Sequence, residues 1–225
     1  MGALAGFDPG FSFANIGEAF PDRQYLWLRF LPSLAGTLLP LVLFLLANKL
    51  GLSRTASFAL GILTAIEGSL IVQSRFILLD AFLLLFGFLS LYLYAIYREK
   101  RSYRWLILAG ISAALSVSVK WTGLSFLAII GLLELVYFFQ NFNIRTIIGH
   151  AVSLVFLPLV VYASTFVIHL ELLDRSGPGD AFMTPEFRKT LINSTDYQRE
   201  DITPLGLPGK IIELNTQMYQ ANATL

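Results

Sequence analysis

Five ionisable side chains interrupt long apolar runs, and their types define the chemistry open to this sequence. Arg75 and Asp80 fall in SLIVQSRFILLDAFLLLFGF, Glu67 precedes Arg75 by eight residues, Lys120 sits in SVSVKWTGL, and Arg29 in LWLRFLPSLAGTLLP. Cations with few carboxylates to answer them suit the capture of an anion, and a lipid phosphate is the anion a membrane face offers. On a continuous helix Arg75 and Asp80 would be rotated about 140° apart, so they would not neutralise each other. A plainer reading gives Arg75 to the headgroups by snorkelling and places Asp80 in a helix's first turn, where the macrodipole favours an anion. Glu67 resists that reading. On an unbroken helix it lies roughly 9–12 Å deeper than Arg75, at a cost of a few kcal/mol unless paired, protonated or hydrated. Ser74 would share its face and Gln73 would lie close by, so the expectation is a wet, outward-opening vestibule lined by Glu67. The alternative is a protonated Glu67 hydrogen-bonded between helices.

Other polar residues ask for less. Lys49, Arg54 and the cluster REKRSYR need only the charge asymmetry of membrane loops, and Glu134, in an apolar run without an obvious partner, is read as structural. His169 reads as interfacial and the following SGPGD as a turn, since it lacks the Lys-Ser/Thr of a phosphate loop. No metal-ligand spacing is present, so no metal is expected. NST at Asn193 and NAT at Asn222 match glycosylation acceptors, a pattern that also arises by chance.

The elements that must position these groups are helices in a bilayer. Of 225 residues, 56% are hydrophobic and 14% charged, and the mean hydropathy is +0.67. That composition belongs to a membrane protein. The net charge of +1 implies no nucleic-acid partner, and the absence of cysteine excludes disulfides, thiolate metal sites and a cysteine nucleophile. The N-terminus, MGALAGFDPGFSF, carries neither a cleavable signal peptide nor a myristoylation signal. Six segments suit a bilayer core: about 30–48, 55–73, 76–97, 105–119, 122–139 and 147–168. The fourth and fifth are short and separated only by KWTG, a tight turn at one face. Basic residues concentrate after the first, third and fifth segments, which puts those connections in the cytosol and both termini outside. The expected fold is an all-α, six-span helical bundle with an extracytoplasmic C-terminal loop region. Its domains are an external segment over 1–29, the membrane region over 30–168, and an external loop over 169–225, rich in turn formers.

In this order the motifs resemble the protein O-mannosyltransferase family, membrane glycosyltransferases of the GT-C class. GFDPGFSFANIGEAF with LRFLPSLAGTLLP is similar to the end of the family's first external loop and its Arg-containing second helix. EGSLIVQSRFILLD resembles the family's acidic-x7-Arg-x4-Asp hairpin, SVSVKWTGL its Ser-x-Lys-Trp-x-Gly turn, and HLELLDRSGPGDAFMTPEF its loop after the seventh helix. The resemblance implies transfer of mannose from a polyprenyl (dolichyl) phosphate mannose to Ser or Thr of exported proteins. It makes that lipid-linked donor a substrate and calls for no cofactor. The implied partners are the donor, an acceptor protein and membrane lipid, with a dimer left open. The family's Asp-Glu pair and His-Pro-Pro motif have no counterpart here, so no catalytic residue is assigned, Glu18 is not put in that place, and the sequence is expected to be part of a longer enzyme. Arg29, Arg75 and Lys120 are expected to approach the donor phosphate, with Glu67 and Asp80 orienting them or shaping the pocket.

Three rival readings stay open: another GT-C transferase, a polytopic transporter, and an inactive membrane fragment. A transporter would scatter its ionisable groups along a pathway and show broken spans in related positions. The family occurs in bacterial plasma membranes and in the endoplasmic reticulum; the lack of cysteine favours the bacterial membrane.

Overall fold

The computed structural model describes Arg23 and residues 25–140, 144–172 and 174–223. The segment GFDPGFSFANIGEAF, with Asp8 and Glu18, lies outside the described residues. The described residues are mainly helical: α1 Tyr25–Lys49, α2 Arg54–Ile66, α3 Gly68–Arg75, α4 Asp80–Lys100, α5 Tyr103–Val119, α6 Leu124–Gln140, α7 Ile144–Ala151, α8 Leu157–Leu172, α9 Pro185–Arg188 and α10 Leu207–Ala223. A 3₁₀ turn, Trp121–Gly123, leads into α6, and a π-helical segment, Val152–Phe156, joins α7 to α8.

Each of the six apolar segments becomes helix, but they are not equal as spans. Tyr25–Lys49, Asp80–Lys100, Trp121–Phe139 and Thr146–Leu172 are each long and apolar enough to cross a bilayer. α2 and α3 reach that length only together, and they are bent by 54° at Glu67. α5, at 17 residues, lies at the lower limit of a crossing helix. The protein is an integral membrane protein with four such spans among the described residues, or five with the bent pair. The first helix also starts earlier than the sequence suggests, which brings Arg29 inside α1 rather than at its mouth.

Two compact units are present, residues 1–159 and 160–225. In the first, α4 packs between α1 and α5. Ala35 and Val42 of α1 meet Ala81 and Leu85 of α4 in one buried cluster; Tyr94, Tyr97, Leu106, Ala109, Ile130 and Leu154 form another. Small residues let these helices approach, and serine hydroxyls bind them: Ser112 Oγ donates to the Phe86 carbonyl at 2.8 Å and Ser116 Oγ to that of Leu83 at 2.9 Å. Outward-facing residues such as Leu132, Val136 and Phe139 on α6 are exposed and apolar, as a lipid-facing surface requires. In the second unit Leu170, Phe187 and Leu191 form a small core with Met183, Leu205 and Ile211 against it. The polar stretch read as an external loop thus carries its own core and the helix α10.

Candidate functional site at one end of the bundle

The antiparallel course of the chain gathers the singled-out residues at one end of the first unit. α1 begins there, with Arg29 one turn in; α3 ends there with Arg75; α4 begins with Asp80; and α5 is capped by Lys120. Ser33 Oγ donates to the Ser74 carbonyl at 3.1 Å, tying the start of α1 to the end of α3.

Lys120 and Asp80, forty residues apart in sequence, meet. Lys120 Nζ donates to Asp80 Oδ1 at 2.6 Å. Asp80 stands in the first turn of α4, where the exposed amides favour its negative charge. Lys120 is held by backbone geometry: it is extended, with φ −152° and ψ 147°, between α5 and the 3₁₀ turn. The turn itself depends on Gly123, because a Cβ there would stand 2.5 Å from the backbone carbon of Ser116. Lys120 remains about half exposed, at 51%, so its ammonium is free to reach an anion as well as Asp80.

Arg29 lies over the ring of Tyr25, 4.9 Å from the guanidinium carbon to the ring centre. Its Nε is buried and, among the described residues, has no hydrogen-bond partner. Arg75 is exposed at the last turn of α3 and is in no ion pair among the described residues. The structure therefore joins Lys120 to Asp80 and places Arg29 and Arg75 at the same end, without a carboxylate partner among the described residues.

Glu67 corrects the picture of an unbroken second span. It ends α2 and caps α3: its Oε2 accepts from the Leu70 amide at 2.7 Å and from Ser69 Oγ at 2.9 Å. An N-cap carboxylate satisfies amides that a helix start leaves orphaned, so the chain turns at this residue. Ser74 then has no fixed i+7 relation to it. Glu67 is exposed at the bend and engaged with its own backbone.

At the opposite end the structure assembles a network that the sequence reading passed over. Glu134, read as lacking a partner, is buried and accepts from Tyr94 Oη at 2.6 Å; Arg98 Nη1 lies 3.5 Å from the same oxygen, and His150 Nε2 lies 3.2 Å from the other. Tyr97 Oη is 2.7 Å from His150 Nε2. The available signal was the i,i+4 spacing of Tyr94 and Arg98 on one helix face, set beside an acidic residue in an apolar helix. Lys49 pairs with Glu99 near the same end.

In the second unit Asp196 is buried between two arginines, 2.8 Å from Arg188 Nε and 3.0 Å from Arg199 Nη1. Burial pushes its carboxyl up, but the Arg199 hydrogen bond and the nearby Arg188 charge outweigh it and hold it below the ordinary value of 3.8. His169 is exposed in the last turn of α8. Asn193 has a left-handed backbone, φ 65°, which asparagine tolerates better than most residues.

The family model described as dolichyl-phosphate-mannose-protein mannosyltransferase matches residues 1–174. Protein O-mannosyl-transferase 1 of Danio rerio is 33% identical, the match covering 84% of this chain and 28% of that protein. Dolichyl-phosphate-mannose--protein mannosyltransferase 1 of Candida albicans is 32% identical over 85% of this chain and 24% of that protein. The structure of the S. cerevisiae protein O-mannosyltransferase Pmt1-Pmt2 complex bound to the sugar donor superposes with a TM-score of 0.78 at 29% identity, covering 86% of this chain and 28% of that one. The chain thus spans about a quarter of the length of the relatives it matches.

Proposed function

Because the chain belongs to the dolichyl-phosphate-mannose-protein mannosyltransferase family, we propose that it forms the donor-phosphate side of an enzyme that transfers mannose from polyprenyl phosphate mannose to Ser or Thr hydroxyls of exported proteins. In this reaction a bond forms between the hydroxyl oxygen and the anomeric carbon while the bond from that carbon to the phosphate oxygen breaks. The hydroxyl proton goes to a carboxylate base and the polyprenyl phosphate departs with the electron pair. No residue of this chain is assigned as the base.

The residues at this end serve the departing phosphate. Lys120, Arg29 and Arg75 supply positive charge where negative charge grows on the leaving oxygen, and cations fixed in advance spend no reorganisation energy at that moment. Asp80 holds the Lys120 ammonium without masking it, and Glu67 sets the bend that ends in Arg75. The reading is carried by the Lys120–Asp80 pair standing at the end of the bundle where Arg29 leaves a buried Nε unpartnered among the described residues. Charge distribution between the connections supports the non-cytosolic face for this end. The lack of cysteine supports a bacterial plasma membrane and the eukaryotic relatives support the endoplasmic reticulum; fractionation in the native host decides between them. A dimer with a second family member is consistent with the two-subunit yeast neighbour.

The test uses membranes carrying the protein with the rest of its catalytic machinery, a labelled polyprenyl phosphate mannose and a Ser/Thr peptide. Label passes to the peptide, and Arg29→Glu abolishes transfer while leaving membrane insertion intact. Unchanged turnover in that variant removes the assignment. Movement of an intact donor without transfer of sugar supports the transporter reading instead.

A further inference from the structure

We propose that the groove between α1, α4 and α6, at the end remote from Lys120, binds an anionic phospholipid of the cytosolic leaflet. The groove has a volume of about 600 Å³, within the range of small-molecule sites. Leu46, Leu91, Ile129 and Leu133 line its walls, while Lys49, Arg98 and Tyr137 stand at its mouth. That is the shape of an acyl-chain slot with a polar entrance.

The entrance carries more positive charge than its own carboxylates answer. Two guanidinium groups converge on a single ring, with Arg98 at 4.6 Å and Arg101 at 4.7 Å from the centre of Tyr137. Glu134 is already shared among Tyr94, Arg98 and His150. Lys49 is answered by Glu99. Among the described residues Arg101 is left with no carboxylate, and Lys100 and Arg104 flank it over the ring of Trp105. Like charges held this close favour an anion between or beside them, and guanidinium groups match the planar geometry of phosphate oxygens.

Arg101 closes α4 in the left-handed conformation, φ 51° and ψ 29°, a position where glycine is the usual residue. The chain places an arginine there, and its side chain is turned back onto Tyr137 beside the groove. Basic pockets between membrane helices on the cytosolic side are the setting in which anionic headgroups are recognised. An apolar slot opening directly beneath selects a phosphate that carries a tail over one that does not.

The experiment is native mass spectrometry of the full chain released from neutral detergent, titrated with phosphatidylglycerol or phosphatidylcholine of identical acyl chains. We expect bound phosphatidylglycerol to exceed phosphatidylcholine by about twenty-five-fold, since two cations near a surface each contribute roughly fivefold. Arg101→Gln lowers the preference about fivefold. Leu133→Trp, which fills the slot from an exposed position, lowers the binding of both lipids. Arg54→Gln, at the same end but outside this groove, leaves the preference unchanged, and glycerol phosphate at equal concentration does not displace the lipid. Equal occupancy by the two lipids overturns the proposal, as a groove filled by another protein segment would give. So does a preference that survives both Arg101→Gln and Leu133→Trp in variants that keep the helical circular dichroism of the parent. Displacement by glycerol phosphate would make this a free-anion site and equally refute it.

Discussion

Breaking the pair between Lys120 and Asp80 separates a structural salt bridge from a donor-binding cation. The two side chains are 51% and 27% exposed and meet at 2.6 Å. For a partly exposed pair the attraction is worth about 0.5–1 kcal/mol, and the start of α4 adds about 0.5 kcal/mol to the Asp80 charge. Asp80→Asn should therefore cost about 1 kcal/mol of stability and, by leaving the ammonium less well placed, weaken donor binding only a few-fold. Lys120→Met removes a charge-assisted bond to phosphate, worth about 1.5–3 kcal/mol, so donor affinity should fall between about tenfold and a hundredfold. If Asp80 acts on the donor only through Lys120, the double variant binds no worse than Lys120→Met alone. The assay is equilibrium binding of a fluorescent polyprenyl phosphate mannose to the purified variants in nanodiscs, with thermal melts beside it. Strictly additive losses in the double variant would refute the orienting role. A Lys120→Met protein that binds donor as tightly as its parent would refute the cation role too.

Three further outcomes follow from other parts of the molecule. Glu67→Ala removes the cap at the bend and should cost about 1 kcal/mol in a thermal melt, whereas Glu67→Gln, which keeps an acceptor, should recover most of it; equal losses would mean that the charge matters rather than the cap. Glu134→Ala leaves Arg98 and His150 without their shared buried carboxylate and should destabilise by about 3 kcal/mol or more, with Glu134→Gln milder, read as the shift of the melting midpoint. Asp196 has its pKa depressed in the folded protein, so the stability it contributes is fully present above its ordinary value of 3.8 and is lost as pH falls through the lower folded value. Residues 174–205 should accordingly resist limited digestion by an acid-tolerant protease from neutral pH to about pH 4 and open below it, and Asp196→Asn should be less protected at neutral pH and flatten that dependence.

How far the sequence alone reaches depends on the range of the interaction. The helices were legible because each apolar run is local, and lipid demands that backbone groups be satisfied within the segment. The bend at Glu67 was not, because the pattern from 55 to 73 stays apolar and helical on both sides. Glutamate is an unusual cap, and only Ser69 and the amide of Leu70 reveal its use. Lys120 and Asp80 could be put at one membrane face by counting spans, but their contact depends on how α4 packs on α5. Glu134 needed the same information, since its partners come from α4 and α7. In the C-terminal region, turn formers hid the small core around Phe187: Met183, Phe187 and Leu191 stand four residues apart, but only Pro185–Arg188 between them is α-helix, and the rest of the core comes from α8 and from the chain from Leu205 onward.

The role of the cations near Lys120 is decided by the dissociation constant of polyprenyl phosphate mannose for the Arg29→Gln protein beside that for Arg54→Gln, a cation at the other end of the bundle. If the cations near Lys120 hold the donor phosphate, Arg29→Gln loses about tenfold or more in affinity while Arg54→Gln matches the parent. Equal affinities for all three proteins, or a loss confined to Arg54→Gln, would contradict it.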